Sequence, residues 1–355
     1  MQTLKTAVEM QQRGHHVMLV VPLNATLHQK ATEKKIPVTT LKWNNSHVVS
    51  NIFRFKKIIR GFQPDIIHSQ LSHDLWTISP ALNKRSKAKL ILSRRMASGL
   101  SKKDILHQFI FKKIDLLLCV STFIRDNVIK THPILPNKVK VHFNGLNLER
   151  FNALLYSRED CRKQLGVSND SLVIGFLGRF TLMKGHYEFF DAARILLDEH
   201  PNKNLIFLVA GGDSFGEEDF GQTAREYGTN LLGKERVIFT GNIDDTPSIL
   251  AAMDVLAFPS HEESFGNVLC EAAAMEIPAV ASNSGGVPDI IVHNTTGILV
   301  PKKNSKALAD GLSFYINKPE TRKEHGKNAS AFVKEKFAEQ QQLKKLEQLY
   351  FNLVS

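Results

Sequence analysis

Short apolar runs alternate with longer amphipathic stretches along the whole chain. The runs are rich in Val, Ile and Leu and lack polar alternation, a pattern typical of parallel strands that are buried on both faces. The amphipathic stretches between them are long enough for crossover helices, so the pattern predicts an α/β protein with doubly wound parallel sheets. The predicted strands are His15–Val21, Pro37–Leu41, Asp65–Ser69, Lys89–Ser93, Asp115–Ser121, Lys138–Phe143, Leu172–Gly178, Asn204–Ala210, Arg236–Thr240, Asp254–Pro259, Pro278–Ser282 and Gly297–Val300.

The chain is predicted to open with a helix and to close with helices. Met1–Arg13 has the amphipathic pattern of a helix that Gly14 ends, and Pro319–Ser355 is helical with no further strand. The clearest helices between these ends are Lys184–Glu199, Phe265–Met275 and Ser305–Ile316.

Charge and composition divide the chain at about the same place. Residues 1–150 hold 25 Lys and Arg against 8 Asp and Glu, whereas residues 151–355 hold 21 against 27. With a composition shift at Asn144–Ser157, this predicts two domains, 1–150 and 151–335, and a C-terminal helix over 336–355 that packs back across both. The net charge of +17 on the first half favours an anionic membrane surface, a phosphorylated partner or nucleic acid, with a solvated basic surface as the alternative.

Several classes of protein are made less probable by what the sequence lacks. No apolar run approaches the ~18 residues that span a bilayer, and Cys119, Cys161 and Cys270 are too widely spaced for a disulfide framework or a zinc site. Three separated cysteines favour a reducing, cytoplasmic location. There is no G-x-G-x-x-G, no P-loop motif and no Asp-x-Asp pair, so we expect neither a bound cofactor nor a divalent metal.

Two cations follow a predicted strand in the segment FLGRFTLMKGH, residues 176–186. Ligands of doubly wound sheets bind outside the carboxyl ends of the strands, and Arg179 and Lys184 lie in the turn at such an end. The planar fork of an arginine and the point charge of a lysine are suited to a diphosphate. Solvation of a surface turn is the alternative explanation for both.

Two carboxylates flank a predicted helix start in PSHEESFGNVLCEAAA, residues 259–274. Ser264 is predicted to cap a helix that begins near Phe265, so that the backbone N–H groups of residues 265–268 form an anion site. Glu263 precedes this helix and Glu271 follows in its second turn, which places them to bracket one elongated ligand that carries sugar hydroxyls. The alternatives are a carboxylate that complements the helix dipole for Glu263 and a solvated helix residue for Glu271.

The segment ESFGNVLCE resembles the E-x7-E motif of the retaining GT-B glycosyltransferases that are called group 1. The resemblance continues in order through GRFTLMKG, VIFTGNI, DVLAFPS and SGGVPDIIVHNTTGILVP, and more loosely through RGHHVMLVVP, PDIIHSQ, CVSTFIRD and NGLNLERF. It implies a GT-B fold, in which two Rossmann-like domains face a cleft. It also implies metal-independent, hexosyltransferase-type transfer from a nucleotide-sugar to a lipid-linked or cell-surface glycan, in lipopolysaccharide or polysaccharide biosynthesis.

The same resemblance implies a role for each matching residue. Arg179 and Lys184 would hold the donor diphosphate, Glu263 would contact the donor sugar and assist catalysis with them, and Glu271 would accept from the ribose hydroxyls. The remaining implied donor contacts are the backbone of Phe265, Gly266, Asn267 and Val268 near sugar and phosphates, Gly285 and Gly286 beside the site, and Thr240 and Gly241 near the nucleobase.

The basic first half carries the expected acceptor site. Family members often have a His after the strand that corresponds to Lys89–Ser93, whereas this chain has Arg94 and Arg95 there, so no catalytic base is named. Together with Lys102 these arginines predict an anionic acceptor, such as a phosphorylated lipid-linked saccharide. A plain surface loop is the alternative.

Two stretches, 53–62 and 101–115, mix Ile, Phe and Leu with Lys and Arg at helical spacing, as helices that lie on membranes do. They predict a peripheral location at the inner face of the cytoplasmic membrane. For either helix alone, an apolar side that faces the domain core is the alternative.

The resemblance places a strand and a Gly-Gly turn before the opening helix, and we expect both to be absent from this chain. A nucleotide-sugar-binding protein that is truncated and inactive is therefore the alternative to an active transferase. Nucleic-acid binding would explain only the basic half, and no nucleic-acid module supports it, so we expect no nucleic-acid partner.

Overall fold

The computed structural model describes residues 2–23, 25–42, 47–82 and 86–355. Met1, with which the first predicted helix begins, lies outside the described residues. The chain forms two compact units. Unit 1 comprises Met1–Phe143 and Gln340–Ser355, and unit 2 comprises Asn144–Glu339.

Unit 2 contains a parallel sheet of six strands in the order β9-β8-β7-β10-β11-β12. The chain lays down β7 in the middle, adds β8 and β9 on one side, and then crosses over to add β10, β11 and β12 on the other. This order creates a switch point between β7 and β10, where ligands of doubly wound folds bind. The strands are β7 (Leu172–Leu177), β8 (Leu205–Ala210), β9 (Val237–Phe239), β10 (Val255–Phe258), β11 (Ala279–Ser282) and β12 (Gly297–Val300).

The helices of unit 2 cover this sheet and enclose a core rich in aromatic rings. Phe189, Phe190, Phe207 and Tyr315 are fully buried in it, which removes large apolar areas from water. The helices are α7 (Arg158–Gln164), α8 (His186–Glu199), α9 (Glu218–Leu232), α10 (Thr246–Ala252), α11 (Asn267–Ala274), α12 (Ser305–Asn317) and α13 (Pro319–Phe337).

Unit 1 contains two separate parallel sheets, β1-β2 and β3-β4-β5-β6. Within the described ranges no strand joins them. Side chains of β4 and β5 such as Leu90, Ile91 and Leu117 are fully buried, whereas Leu19 of β1 and Ile66 of β3 are only partly covered. The strands are β1 (Leu19–Pro22), β2 (Val38–Leu41), β3 (Ile66–Ser69), β4 (Lys89–Arg94), β5 (Leu116–Cys119) and β6 (Val139–Val141).

The last helix of the chain completes the core of unit 1. Its residues Leu343 and Leu346 pack with Met10, Ile91 and Leu118. Among the described residues, no helix combines the length and the apolar composition that crossing a membrane requires. The helices are α1 (Gln2–Gln12), α2 (Thr26–Glu33), α3 (Val48–Phe62), α4 (Leu75–Ala81), α5 (Ile105–Phe111), α6 (Thr122–Thr131) and α14 (Glu339–Val354).

All of the predicted strands are present, but the predicted starts of the first strand and of the C-terminal helix are wrong. The first strand begins at Leu19 and not at His15, because Gly14 adopts a positive φ of 91° and the backbone N–H of His15 still bonds the carbonyl of Met10 at the end of α1. The predicted C-terminal helix begins at Glu339 and not at 336, since α13 continues to Phe337.

A buried ion pair ties the first helix of unit 2 to its sheet. The guanidinium of Arg162, fully buried, donates to Asp254 Oδ2 at 2.7 Å and to the carbonyls of Ala252, Asn169 and Ser171 at 3.0–3.1 Å. Asp254 Oδ2 also accepts from the backbone N–H of Val173, at 2.8 Å. Every polar group is satisfied, which such a pair needs to offset its desolvation.

We expect Asp254→Asn to lower the free energy of unfolding of unit 2 by about 3–5 kcal/mol, because Arg162 would remain buried without a countercharge. Asp198→Asn is the matched control, since Asp198 forms an exposed ion pair with Arg194 whose loss should cost about 1 kcal/mol or less. Hydrogen exchange of the unit 2 amides in urea measures the free energy of unfolding in both variants. Equal effects of the two substitutions would contradict the structural role of the buried pair.

Candidate functional site

Two loops meet at the switch point of unit 2, one after β7 and one after β10. These strands are hydrogen-bonded neighbours, with Val255 opposite Ile174. Gly185 ends the first loop with a φ of 78°, and a Cβ there would lie 2.4 Å from the carbonyl oxygen of Pro259. The backbone N–H of His261 donates to the carbonyl of Met183 at 2.9 Å. The loops therefore touch backbone to backbone, which requires a glycine at 185.

Lys184 and Glu263 form an ion pair across these loops. Lys184 Nζ lies 2.6 Å from Glu263 Oε2 and 5.5 Å from the centroid of the Phe258 ring. Both side chains are partly buried, so the pair is less screened than one on an open surface. Arg179 follows the same strand as Lys184, and its exposed side chain forms no ion pair with any residue that the structure describes.

A third loop, after β11, holds the backbone of Glu263. The backbone N–H of Gly286 donates to the Glu263 carbonyl at 2.8 Å. Gly285 has a φ of 56°, and a Cβ there would lie only 1.9 Å from that carbonyl oxygen. The structure thus brings Gly285, Gly286, Glu263 and Lys184 together, as the sequence predicts for one site.

The helix start predicted at Phe265 differs in its details. α11 begins at Asn267, and its N-cap is Gly266 in the left-handed conformation, with no side-chain cap. The predicted cap by Ser264 is therefore wrong, because a backbone turn at Gly266 with a φ of 104° starts the helix instead. The backbone N–H groups of Asn267 and Val268 have no acceptor within the helix, and they form a positive helix end.

Glu271 lies on the same helix and is partly buried. Burial raises the pKa of its carboxyl group, and the positive charge of Arg150 opposes this shift. Its side chain forms no hydrogen bond with any described residue, so the carboxylate oxygens remain acceptors for a ligand.

Thr240 and Gly241 follow β9 at the same carboxyl edge of the sheet. The backbone N–H of Thr240 donates to the carbonyl of Val209, and that of Gly211 donates to the carbonyl of Gly241, at 3.1 and 3.0 Å. They are two strands away from β7, so an elongated ligand is needed to reach them from Lys184.

Sequence reasoning did not single out a second bridge between the two loops. His261 Nε2 lies 2.8 Å from Glu188 Oε1, and both side chains are largely buried. Both residues stand in or beside the quoted motifs, but their pairing depends on the strand order, which no local pattern reveals. Elsewhere in the described part of the chain, no group of three or more His, Cys, Asp or Glu is placed to hold a metal ion.

The residues predicted to contact the acceptor lie in unit 1: Arg94 ends β4, Arg95 follows it, and Lys102 lies in the loop before the helix Ile105–Phe111. The guanidinium of Arg94 donates to Ser72 Oγ at 2.8 Å, and that of Arg95 donates to Gln70 Oε1 at 2.7 Å. Neither arginine pairs with a carboxylate of the described residues, although burial lowers the pKa of both.

Positive charge is concentrated around Arg94. Its Nε is buried and has no partner among the described residues. Burial and then the charge of Arg94 lower the pKa of Lys102. Burial, followed by the charges of Arg94 and Lys102, lowers the pKa of His132 to about 4. The charge of Arg94 thus acts on Lys102, and neither cation forms an ion pair with a carboxylate of the described residues.

Comparisons with known families cover nearly the whole chain. The profile of the family described as "Glycosyl transferases group 1" matches residues 157–332, and that of "Glycosyltransferase Family 4" matches residues 2–150. CapM of Staphylococcus aureus, a capsular polysaccharide biosynthesis glycosyltransferase, is 29% identical over 240 residues, which are 66% of this chain and 60% of CapM. A D-inositol 3-phosphate glycosyltransferase of Corynebacterium kroppenstedtii is 29% identical over 269 residues, which are 73% of this chain and 59% of that protein.

These alignments span about three fifths of the length of the two curated relatives. Solved structures match over greater lengths. A glycosyltransferase from Rickettsia africae has a TM-score of 0.91 at 22% identity and covers 100% of this chain and 94% of its own. HepE of Anabaena in complex with UDP has a TM-score of 0.86 at 19% identity, over 99% and 96% of the chains. The lipopolysaccharide outer core galactosyltransferase WaaB has a TM-score of 0.76 at 16% identity, over 99% and 95%.

The matched profiles agree with the architecture seen here, two Rossmann-like units of parallel sheet whose structural neighbours are GT-B glycosyltransferases. The chain belongs to the group 1 family of GT-B glycosyltransferases.

Proposed function

We propose that the chain is a retaining glycosyltransferase that moves a hexosyl group from a nucleotide-sugar donor to a glycan acceptor. The observation that carries the proposal is the site at the switch point of unit 2. There, Lys184 and Glu263 pair at 2.6 Å beside the N-terminus of α11, and Glu271 keeps free carboxylate oxygens. HepE, a structural neighbour, was solved in complex with UDP and with UDP-glucose, so a UDP-sugar is the first donor to test.

Each residue of the proposed site for the sugar donor has a physical role in the proposed reaction. Departure of a nucleoside diphosphate builds negative charge on its β-phosphate, and Arg179, Lys184 and the N-terminus of α11 are the nearest sources of positive charge. Preorganised charges of this kind usually contribute more to catalysis than any other single effect. Glu263, held by Lys184 and by the N–H of Gly286, would accept from the donor sugar, and Glu271 from the ribose. We propose that this set of residues supports transfer without a metal.

The acceptor in this proposal is an anionic glycan or glycolipid that unit 1 binds. Arg94, Arg95 and Lys102 supply positive charge that no carboxylate of the described residues neutralises. A phosphate or carboxylate on the acceptor would remove the cost of keeping these cations partly desolvated. The names of CapM and WaaB point to capsular polysaccharide and lipopolysaccharide, and we propose a cell-surface polysaccharide pathway of this kind.

We also propose that the protein acts in the cytoplasm, at the inner face of the membrane. The basic first half, with its net charge of +17, would be attracted to anionic lipids that carry such an acceptor. The alternative function is binding of a nucleotide-sugar without turnover. A panel of UDP-, GDP- and ADP-sugars separates the two functions, because a thermal shift without nucleotide release, even with candidate acceptors, would favour the alternative.

We expect Lys184→Ala to lower kcat by about two orders of magnitude or more, because one preorganised charge at the leaving group is lost. Nucleotide release with the donor that the panel identifies is the measurement. Lys203→Ala is the control. Lys203 is exposed and lies just before β8, at the amino ends of the strands and therefore away from the proposed site. A near-wild-type rate in a folded Lys184→Ala protein would refute the role of this lysine.

Glu271→Gln should raise the melting temperature and weaken UDP binding at neutral pH. The pKa of Glu271 is raised in the folded state, so the protonated carboxyl stabilises the fold at low pH. That contribution is lost as the pH rises through the raised pKa. The neutral amide avoids the loss, and the difference in melting temperature should vanish at low pH. Glu335→Gln, at an exposed position of α13, is the control. Unchanged UDP affinity in Glu271→Gln would count against contact with the donor.

Inorganic phosphate should stabilise unit 1 by a saturable amount at constant ionic strength. The measurement is best made in a Lys184→Ala background, which weakens the donor site. Arg94→Gln should abolish the effect, because Arg94 has a buried Nε without a partner among the described residues and its charge lowers the pKa of Lys102. Lys103→Gln, at an exposed neighbouring position, should retain it.

Bound phosphate should also raise the pKa of His132 above about 4, since the Arg94 charge that lowers this pKa is then offset. Equal stabilisation by phosphate and chloride would contradict an anion site.

A further inference from the structure

The short helix α5 of unit 1 turns large apolar side chains towards solvent. Ile105, Leu106 and Phe109 are 82%, 64% and 59% exposed. At about 100° per residue these positions fall within one face of the helix. Leu100, in the loop that leads into the helix, is 76% exposed. These four residues, together with the exposed Lys103 and Lys112 that flank them, are called the α5 surface below.

The adjoining side of α5 is firmly packed. Ile110 and Phe111 are buried, and the Ser79 hydroxyl of α4 donates to the carbonyl of Ile110 at 2.8 Å. The rings of Trp76 and His107 meet edge to face at 5.5 Å. The apolar core positions of this helix are thus already filled by Ile110 and Phe111. Ile105, Leu106 and Phe109 form a second apolar face that the core does not use.

The charged residues around this second face are almost all positive. From Arg94 to Lys113 the sequence contains six Lys and Arg against a single acid, Asp104. Asp104 caps α5, accepting from the His107 backbone at 3.1 Å, and its other oxygen lies 2.5 Å from His107 Nδ1. The only carboxylate of the segment is therefore engaged in the helix cap and forms no ion pair with these lysines.

We propose that the α5 surface docks on an anionic lipid bilayer. Apolar side chains that can enter the acyl boundary, with lysines at headgroup level, are the two components of interfacial binding. A protein partner with a matching apolar patch would not account for the excess of cations. This proposal rests on the membrane association proposed above, and not on sugar transfer itself.

The competing surface is on α3, where Val49 and Phe53 are also exposed, at 68% and 66%. Lys56 Nζ lies 5.5 Å from the centroid of the Phe53 ring. Part of this patch is thus covered by its own lysine, whereas no cation–π contact within the described residues covers the ring of Phe109. The two surfaces consist of different residues, so substitutions in each of them test which one binds.

Flotation of the full chain with vesicles tests the proposal. The wild type should float with vesicles that contain anionic phosphatidylglycerol, and much less with phosphatidylcholine alone. Ile105→Ser with Phe109→Ser should reduce partition at least about tenfold, since each buried apolar side chain contributes substantially. Lys103→Glu with Lys112→Glu should reduce it by about fivefold or more per lysine. Leu154→Ser with Leu155→Ser is the matched control, because these unit 2 residues are 92% and 67% exposed.

Three results would overturn the proposal. The first is equal partition to anionic and neutral vesicles, and the second is loss of partition only in Val49→Ser with Phe53→Ser. The third is self-association of the wild type, without vesicle binding, that Ile105→Ser with Phe109→Ser abolishes. UDP binding in solution is measured for every variant, since a chain that binds UDP but ignores vesicles refutes the docking surface and leaves the donor site standing.

Discussion

The proposed donor site depends on one constraint, the adjacency of β7 and β10 in the sheet of unit 2. β7 is laid down first and β10 is added beside it after two further strands, so loops that are distant in sequence meet at one edge. Lys184 and Glu263 are 79 positions apart and yet lie within 2.6 Å. Two glycines, Gly185 and Gly285, let the backbones approach closely enough for this pair to form. Any change in strand order would separate the groups that the proposed chemistry needs.

Four partly or fully buried cations differ in their partners. In unit 2, Arg162 and Lys184 each have a carboxylate partner, so their charges fix the geometry of the sheet and of the site. In unit 1, Arg94 and Arg95 have only neutral oxygen partners among the described residues. A partly desolvated cation without a countercharge favours binding of an anion.

The sequence was sufficient to predict the strands but not every contact between them. Val-, Ile- and Leu-rich runs locate the strands because burial on both faces leaves a local pattern, and the motifs around Lys184 and Glu263 locate the site. Local pattern could not reveal the bridge from His261 to Glu188, which the strand order creates. It misplaced the start of α11, because Ser264 is a good capping residue but the turn at Gly266 decides the geometry. It also could not tell which apolar face of α5 is buried.

Three features of this chain are unfavourable in the isolated protein and become favourable with a ligand of definite chemistry. Glu271 is partly buried without a hydrogen-bond donor from the described residues, Arg94 lacks a countercharge there, and α5 exposes apolar side chains that its core does not use. A hydroxyl-bearing donor, an anionic acceptor and a lipid surface would each remove one of these costs, which agrees with the proposed transfer of a sugar to a membrane-bound glycan.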